Sequence, residues 1–147
     1  MIIPTGQPGA VADIRGSSDA PRLRGKVSFY DTARGTLVAA EIFGIPDDGF
    51  HGFHIHEGGS CGGEGFSETG SHFNPRESSH PDHAGDLPPL LSCEGRAFLA
   101  VLTDRFSVAD VVGRTAVIHS MPDDFRSQPA GDSGEKIGCG VIASCGG

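Results

Sequence analysis

No apolar run in the sequence approaches the roughly 18 residues that a helix needs to cross a bilayer. Basic residues are scarce: 11 Lys and Arg stand against 19 Asp and Glu, a formal charge of -8. Clustered cations are what replace phosphate counterions, so neither nucleic acid nor a membrane surface is expected as the partner. The start, Met1-Ile2-Ile3-Pro4, has neither the basic residues nor the apolar stretch of a secretory leader. The chain as written therefore reads as cytoplasmic, or as periplasmic or extracellular if a leader was removed before this numbering. The four cysteines, Cys61, Cys93, Cys139 and Cys145, show no C-x-x-C spacing, which excludes zinc-finger and dithiol redox motifs. The Gly-rich stretch Gly58-Gly59-Ser60-Cys61-Gly62-Gly63 lacks the Gly-Lys-Ser/Thr ending of a phosphate loop.

What is present points to short strands and turns. A length of 147 residues suits one domain over 1–147, with 37% apolar residues, 23 Gly and 10 Pro. Alternation predicts strands at Lys26–Tyr30, Leu37–Phe43, Ala97–Leu102 and Ala116–His119, and more weakly at Ala10–Arg15, Gly52–His56, Leu87–Leu91 and Ile137–Ala143. About eight short strands make an all-β sandwich or barrel. Two segments break the rhythm, residues 57–84 and 120–136, and connections of that length inside a domain are commonly functional.

The histidines carry the chemistry. In Gly52-Phe53-His54-Ile55-His56, strand geometry puts His54 and His56 on one face, about 7 Å apart, with Phe53 and Ile55 on the other. His72, His80, His83 and Asp86 follow within 30 residues of His56, and His119 ends a later strand. Imidazole suits copper and zinc, and a carboxylate among imidazoles suits zinc better, so the set is consistent with a site for both metals. His51 shares the face of Phe53 and Ile55 and is read as a hydrogen-bonded structural residue.

With these segments the sequence resembles the copper/zinc superoxide dismutases, from about Ala10 to the C-terminus. The motifs are Gly52-Phe53-His54-Ile55-His56-Glu57, His72-Phe73-Asn74-Pro75, His83-Ala84-Gly85-Asp86-Leu87, Gly113-Arg114-Thr115-Ala116-Val117-Ile118-His119 and Cys139-Gly140-Val141-Ile142. The short spacing from His56 to Cys61 and the run Gly85-Asp86-Leu87-Pro88 resemble bacterial members. The resemblance implies an eight-stranded antiparallel Greek-key β-barrel or sandwich with two long functional loops. It implies copper on His54, His56, His72 and His119, and zinc on His72, His80, His83 and Asp86. His72 is then shared, and two bonds of about 2 Å on either side of one ring set the metals roughly 6 Å apart. It further implies that Asp123 fixes the tautomers of one copper and one zinc histidine, and that Cys61 and Cys139 form a disulfide. Cys93 and Cys145 receive no role and are expected free.

The implied activity is dismutation of superoxide to dioxygen and hydrogen peroxide by copper redox cycling, with His72 as the proton switch and a homodimer as a common assembly. An alternative is a dismutase-like metal-binding protein with weak or no turnover. Its motive is Lys136, which stands three residues before Cys139 where most members carry arginine. Lysine keeps the charge that guides the anion but loses the two-pronged fork. Residues 120–137 also carry Asp123, Asp124, Asp132 and Glu135 against Arg126 and Lys136, a formal charge of -2, which predicts slower anion capture.

Overall fold

The computed structural model describes residues 6–145, so the reading of Met1–Pro4 lies outside the described residues. Side chains that alternate in polarity form strands here because one face can be buried and the other left in water. β1 (Ala10–Gly16) buries Ala10, Ala12 and Ile14 and exposes Asp13 and Arg15. β2 (Arg24–Thr32) buries Val27 and Phe29 in the same manner. β3 (Gly35–Phe43), β4 (Gly49–His51), β5 (Phe53–His56), β6 (Leu90–Ser92), β7 (Ala97–Thr103), β8 (Thr115–His119) and β9 (Lys136–Ser144) complete the set among the described residues, with a short helix α1 (Val108–Val111) between β7 and β8.

Seven strands hydrogen-bond in the order β5-β8-β9-β1-β2-β3-β7, and β4 pairs separately with β6, every pair antiparallel. β4 and β5 are one strand interrupted at Gly52, whose N–H donates to the Met121 carbonyl and whose carbonyl accepts from His119 N–H. Counted so, the strands among the described residues number eight, as expected. The turn from β6 to β7 brings Cys93 and Arg96 into reciprocal backbone bonds and closes the curled sheet. β3 and β4 follow one another in the chain yet are separated in space by β7 and β6, which is Greek-key order. The core inside the barrel includes Val27, Phe29, Ile42, Phe53, Ile55 and Ile118. Burial of each such side chain is worth about 1.5–3 kcal/mol.

Two expectations shift. The strand predicted at Leu87–Leu91 is present only from Leu90 to Ser92, because Pro88 and Pro89 have no N–H to give to a ladder. The first connection consequently runs from 57 to 89, past the predicted end at 84, and contains a 3-10 segment, Glu64–Thr69.

Both edges of β5 are occupied. One edge pairs with β8, His54 opposite Val117 and His56 opposite Thr115. Along the other, the first connection folds back: Phe73 N–H donates to the Ile55 carbonyl, and Ile55 N–H to the Gly85 carbonyl. These bonds set His72 across from His56 and Asp86 across from His54. A bulge between Ile118 and His119 realigns β8 on β9 so that His119 faces Lys136.

Candidate metal centre

β5 supplies His54 and His56, β8 ends in His119, and the loop segment paired to β5 supplies His72, all buried. Their rings crowd together: His54 and His72 have centroids 3.9 Å apart, His56 and His72 4.8 Å, and His54 and His119 4.8 Å. Along β5 the His54 and His56 rings stand 6.2 Å apart, close to the spacing read from strand geometry.

The outer nitrogen of each ring is spoken for, which decides the inner one. His54 Nε2 donates to Asp123 Oδ2 at 2.8 Å, His56 Nδ1 to the Gly70 carbonyl at 2.8 Å, and His119 Nδ1 to the Gly134 carbonyl at 3.3 Å. Each remaining nitrogen, His54 Nδ1, His56 Nε2 and His119 Nε2, then carries a lone pair. His56 Nε2 and His119 Nε2 lie 3.3 Å apart, and His54 Nδ1 and His72 Nε2 are buried with no hydrogen-bond partner. Buried nitrogens without partners are costly in a packed interior, and a cation accepting all four lone pairs removes that cost. The ligand atoms of these four histidines lie within 4.8 Å of one another.

A second group meets at the opposite nitrogen of His72. His72 Nδ1 donates to Asp86 Oδ1 at 2.8 Å and lies 3.2 Å from His83 Nδ1. Asp86 Oδ2 lies 3.1 Å from both His80 Nδ1 and His83 Nδ1. His80 Nδ1 has the proximity of a hydrogen bond without its alignment, as expected of two ligands turned toward a common third atom. His54 also falls within 4.8 Å of His72, His80 and Asp86, but its Nε2 is held by Asp123 and its Nδ1 belongs to the first group. Each nitrogen of His72 thus serves a different group.

Asp123 joins the two. Its Oδ1 accepts from His80 Nε2 at 2.7 Å while its Oδ2 accepts from His54 Nε2, which leaves Nδ1 of both rings as the donor atom. Gly131, at φ +69°, leaves the space: a Cβ there would strike Asp123 Oδ1 and His80 Nε2. Burial opposes the charged form of Asp123, yet hydrogen bonds from His54, His80 and the Phe125 N–H hold its carboxyl below the usual carboxylate range. Burial opposes the charged form of Asp86 as well, and the hydrogen bond from His72 and the nearby imidazoles outweigh it. Burial pushes His56 down to about 2 and His119 down to about 3, so both rings are neutral and available as ligands at neutral pH. Burial lowers His54 too, against the pull of Asp123.

Lys136 stands at the edge of the first group. Its Nζ donates to Thr69 Oγ1 at 2.7 Å and to the Gly70 carbonyl at 3.1 Å, the carbonyl that also accepts from His56. Burial lowers its pKa. It lines a cavity of about 630 Å³ together with Asp19, Glu64 and Glu135. The Cys61–Cys139 disulfide is present, Cα atoms 5.9 Å apart, and ties the first connection to β9. Cys93 is exposed and free, and Cys145 is free and half-buried. His51 stands apart, its ring nitrogens 2.9 Å from the His119 carbonyl and 2.8 Å from the Asp47 carbonyl. The backbone carbonyls of Gly70 and Gly134, which set two tautomers, carry no side-chain signal in the sequence, and Thr69 gave none that distinguished it.

The family model described as copper/zinc superoxide dismutase matches residues 23–142. Copper–zinc superoxide dismutase 2 of Aquifex aeolicus is 36% identical over 80% of this chain and 78% of its own. The copper–zinc superoxide dismutase of Legionella pneumophila is 34% identical over 89% of this chain and 85% of its own. That of Deinococcus radiodurans is 34% identical over 93% and 85%.

Proposed function

Since the chain belongs to the copper/zinc superoxide dismutase family, whose substrate is superoxide, we propose that it turns over this anion with copper held by His54, His56, His72 and His119 and zinc by His72, His80, His83 and Asp86. The observation that carries the assignment is the single ring of His72, with Nδ1 on Asp86 in one group and Nε2 buried without a partner in the other. Copper supplies one-electron exchange when bound, and zinc a fixed positive charge on the far side of that ring.

The chain's own residues do the rest. Asp123, Gly70 and Gly134 hold the rings as the tautomers that ligation requires. Burial keeps His56 and His119 from protonating in competition with a metal. His72 Nε2, which has no protein partner, would hold copper as a ligand and, whenever it is released from that role, would be the atom able to hold a proton for the product. Lys136, anchored by two hydrogen bonds, uses two of its three N–H donors and leaves the third to meet the anion. Two superoxide ions and two protons leave as dioxygen and hydrogen peroxide.

The decisive experiment loads the protein with both metals and follows superoxide decay by pulse radiolysis. Rapid second-order consumption is expected, and His72→Ala should abolish most of it while leaving the other three copper histidines able to bind. Full metal occupancy without turnover would instead favour a metal-binding relative. One domain over 1–147 and a homodimer belong to the same reading. Phe50 and Leu91, directly paired across β4 and β6 and both exposed, favour a self-association face, which sedimentation equilibrium tests. The formal charge of -8 favours no role for nucleic acid or membrane, tested by the absence of binding to duplex DNA and anionic vesicles.

A further inference from the structure

Only Pro81 and Asp82 separate His80 from His83, and the backbone of this turn is satisfied largely from outside it. The side-chain amide of Gln128 grips His80 at both polar groups: Oε1 accepts from its N–H at 2.9 Å and Nε2 donates to its carbonyl at 2.7 Å. Arg105, just beyond β7, donates from Nη1 to the Pro81 carbonyl at 3.0 Å and to the His83 carbonyl at 3.1 Å. Its Nη2 lies 3.5 Å from Asp82, but these side chains are 38% and 73% exposed, and an ion pair so open to water contributes little. The contacts that matter are the charge-assisted ones to the two carbonyls.

The turn could not hold itself equally well. Pro81 has no N–H, Asp82 N–H is given to the Ser79 carbonyl, and His83 N–H is given to Asp86 Oδ2. No donor inside the turn remains for the Pro81 carbonyl. We propose that Arg105 and Gln128 are positioning residues for the zinc-binding group, clamping the His80–His83 turn so that both Nδ1 atoms converge on Asp86. This rests on the assignment of zinc to His72, His80, His83 and Asp86. Among the described residues, Arg105 makes no hydrogen bond to His54, His56, His72 or His119, so its direct effect falls on the zinc-binding group.

Zinc affinity measured by chelator competition in the copper-loaded protein, with cobalt(II) absorption as a reporter of the same group, tests the inference. Arg105→Ala and Gln128→Ala should each lose about 10- to 100-fold in zinc affinity, the range seen when partners of metal ligands are removed. Copper affinity should change far less than zinc affinity. Arg105→Lys should recover part of the loss, because the two carbonyls are served by the single nitrogen Nη1 and an ammonium on a more flexible stem can also donate twice. Unchanged zinc affinity in folded Arg105→Ala overturns the proposal, as does an equal loss of both metals, the mark of general loosening. If that variant fails to fold, Gln128→Ala carries the test, and unchanged zinc affinity in it is equally fatal. A native protein that takes up neither zinc nor cobalt would bring down the ligand assignment itself, an outcome distinct from a clamp that proves dispensable.

Discussion

At the scale of single residues, Asp123 and Lys136 have the widest reach. Asp123 accepts hydrogen bonds from His54 of one group and His80 of the other, so Asp123→Ala leaves His54 Nε2 and His80 Nε2 buried without an acceptor. Zinc affinity should fall by about 10- to 100-fold, read by chelator competition. Gly131→Ala should imitate it, since the added methyl displaces the same carboxylate in a backbone conformation that alanine resists. Lys136 sits where its charge can draw in an anion, and Lys136→Arg should raise the catalytic rate constant at low salt, with the gain fading as ionic strength grows. Rate constants measured across a salt series check this, and no gain at low salt would count against a guiding role. Because burial lowers the lysine pKa, the guiding charge disappears as pH rises, earlier than for a free lysine near 10.4. The native rate should therefore decline on the alkaline side, and the arginine variant should hold its rate further.

At the scale of elements, β5 shows what the sequence made legible and what it hid. The alternation of Phe53 and Ile55 with His54 and His56 announces a strand with two imidazoles on one face, and that is how β5 is built. The folding back of residues 71–73 and 85–87 along its free edge follows no local pattern, because such backbone bonds do not depend on which side chain is present. The bulge that sets His119 opposite Lys136 was equally silent, while Pro88 and Pro89 should have shortened the predicted strand before Leu90. Arg105 and Gln128 lie far in sequence from the histidines they hold, and their contacts to backbone oxygens have no spacing rule. The disulfide joins residues 78 positions apart, and chain-entropy arithmetic for such a loop assigns it about 4–5 kcal/mol. Replacing Cys61 and Cys139 by serine together should lower stability toward that amount in denaturant unfolding at equal metal content. A loss near zero would show that the bonds along β5 hold the connection unaided.

At the scale of the whole molecule, the metal-free protein should be acid-sensitive in a definite direction. His56 and His119 are held neutral well below the free value near 6.5, so below that pH the unfolded chain binds protons that the folded one refuses. Stability is complete above about pH 6.5 and is lost as pH falls, by up to about 1.4 kcal/mol per pH unit for each histidine. Asp86 and Asp123, held ionised in the fold, add their loss only at lower pH. Urea unfolding of the metal-free protein from pH 7.5 to 4.5 checks this, and a flat profile would contradict the buried neutral rings. Bound metal should raise the whole curve without removing this slope, because the folded rings already refuse protons and the unfolded chain still takes them up.

The two long connections meet through buried Asp123 and exposed Gln128, each reaching from the second connection to His80 of the first. Neither can then swing out alone without stripping partners from the other, although they are far apart along the chain. They should behave as one cooperative unit above a more durable barrel. In deuterium exchange, amides at 57–89 and 120–135 should open with a shared rate and free energy, so that access to the interior is a single event rather than two independent ones.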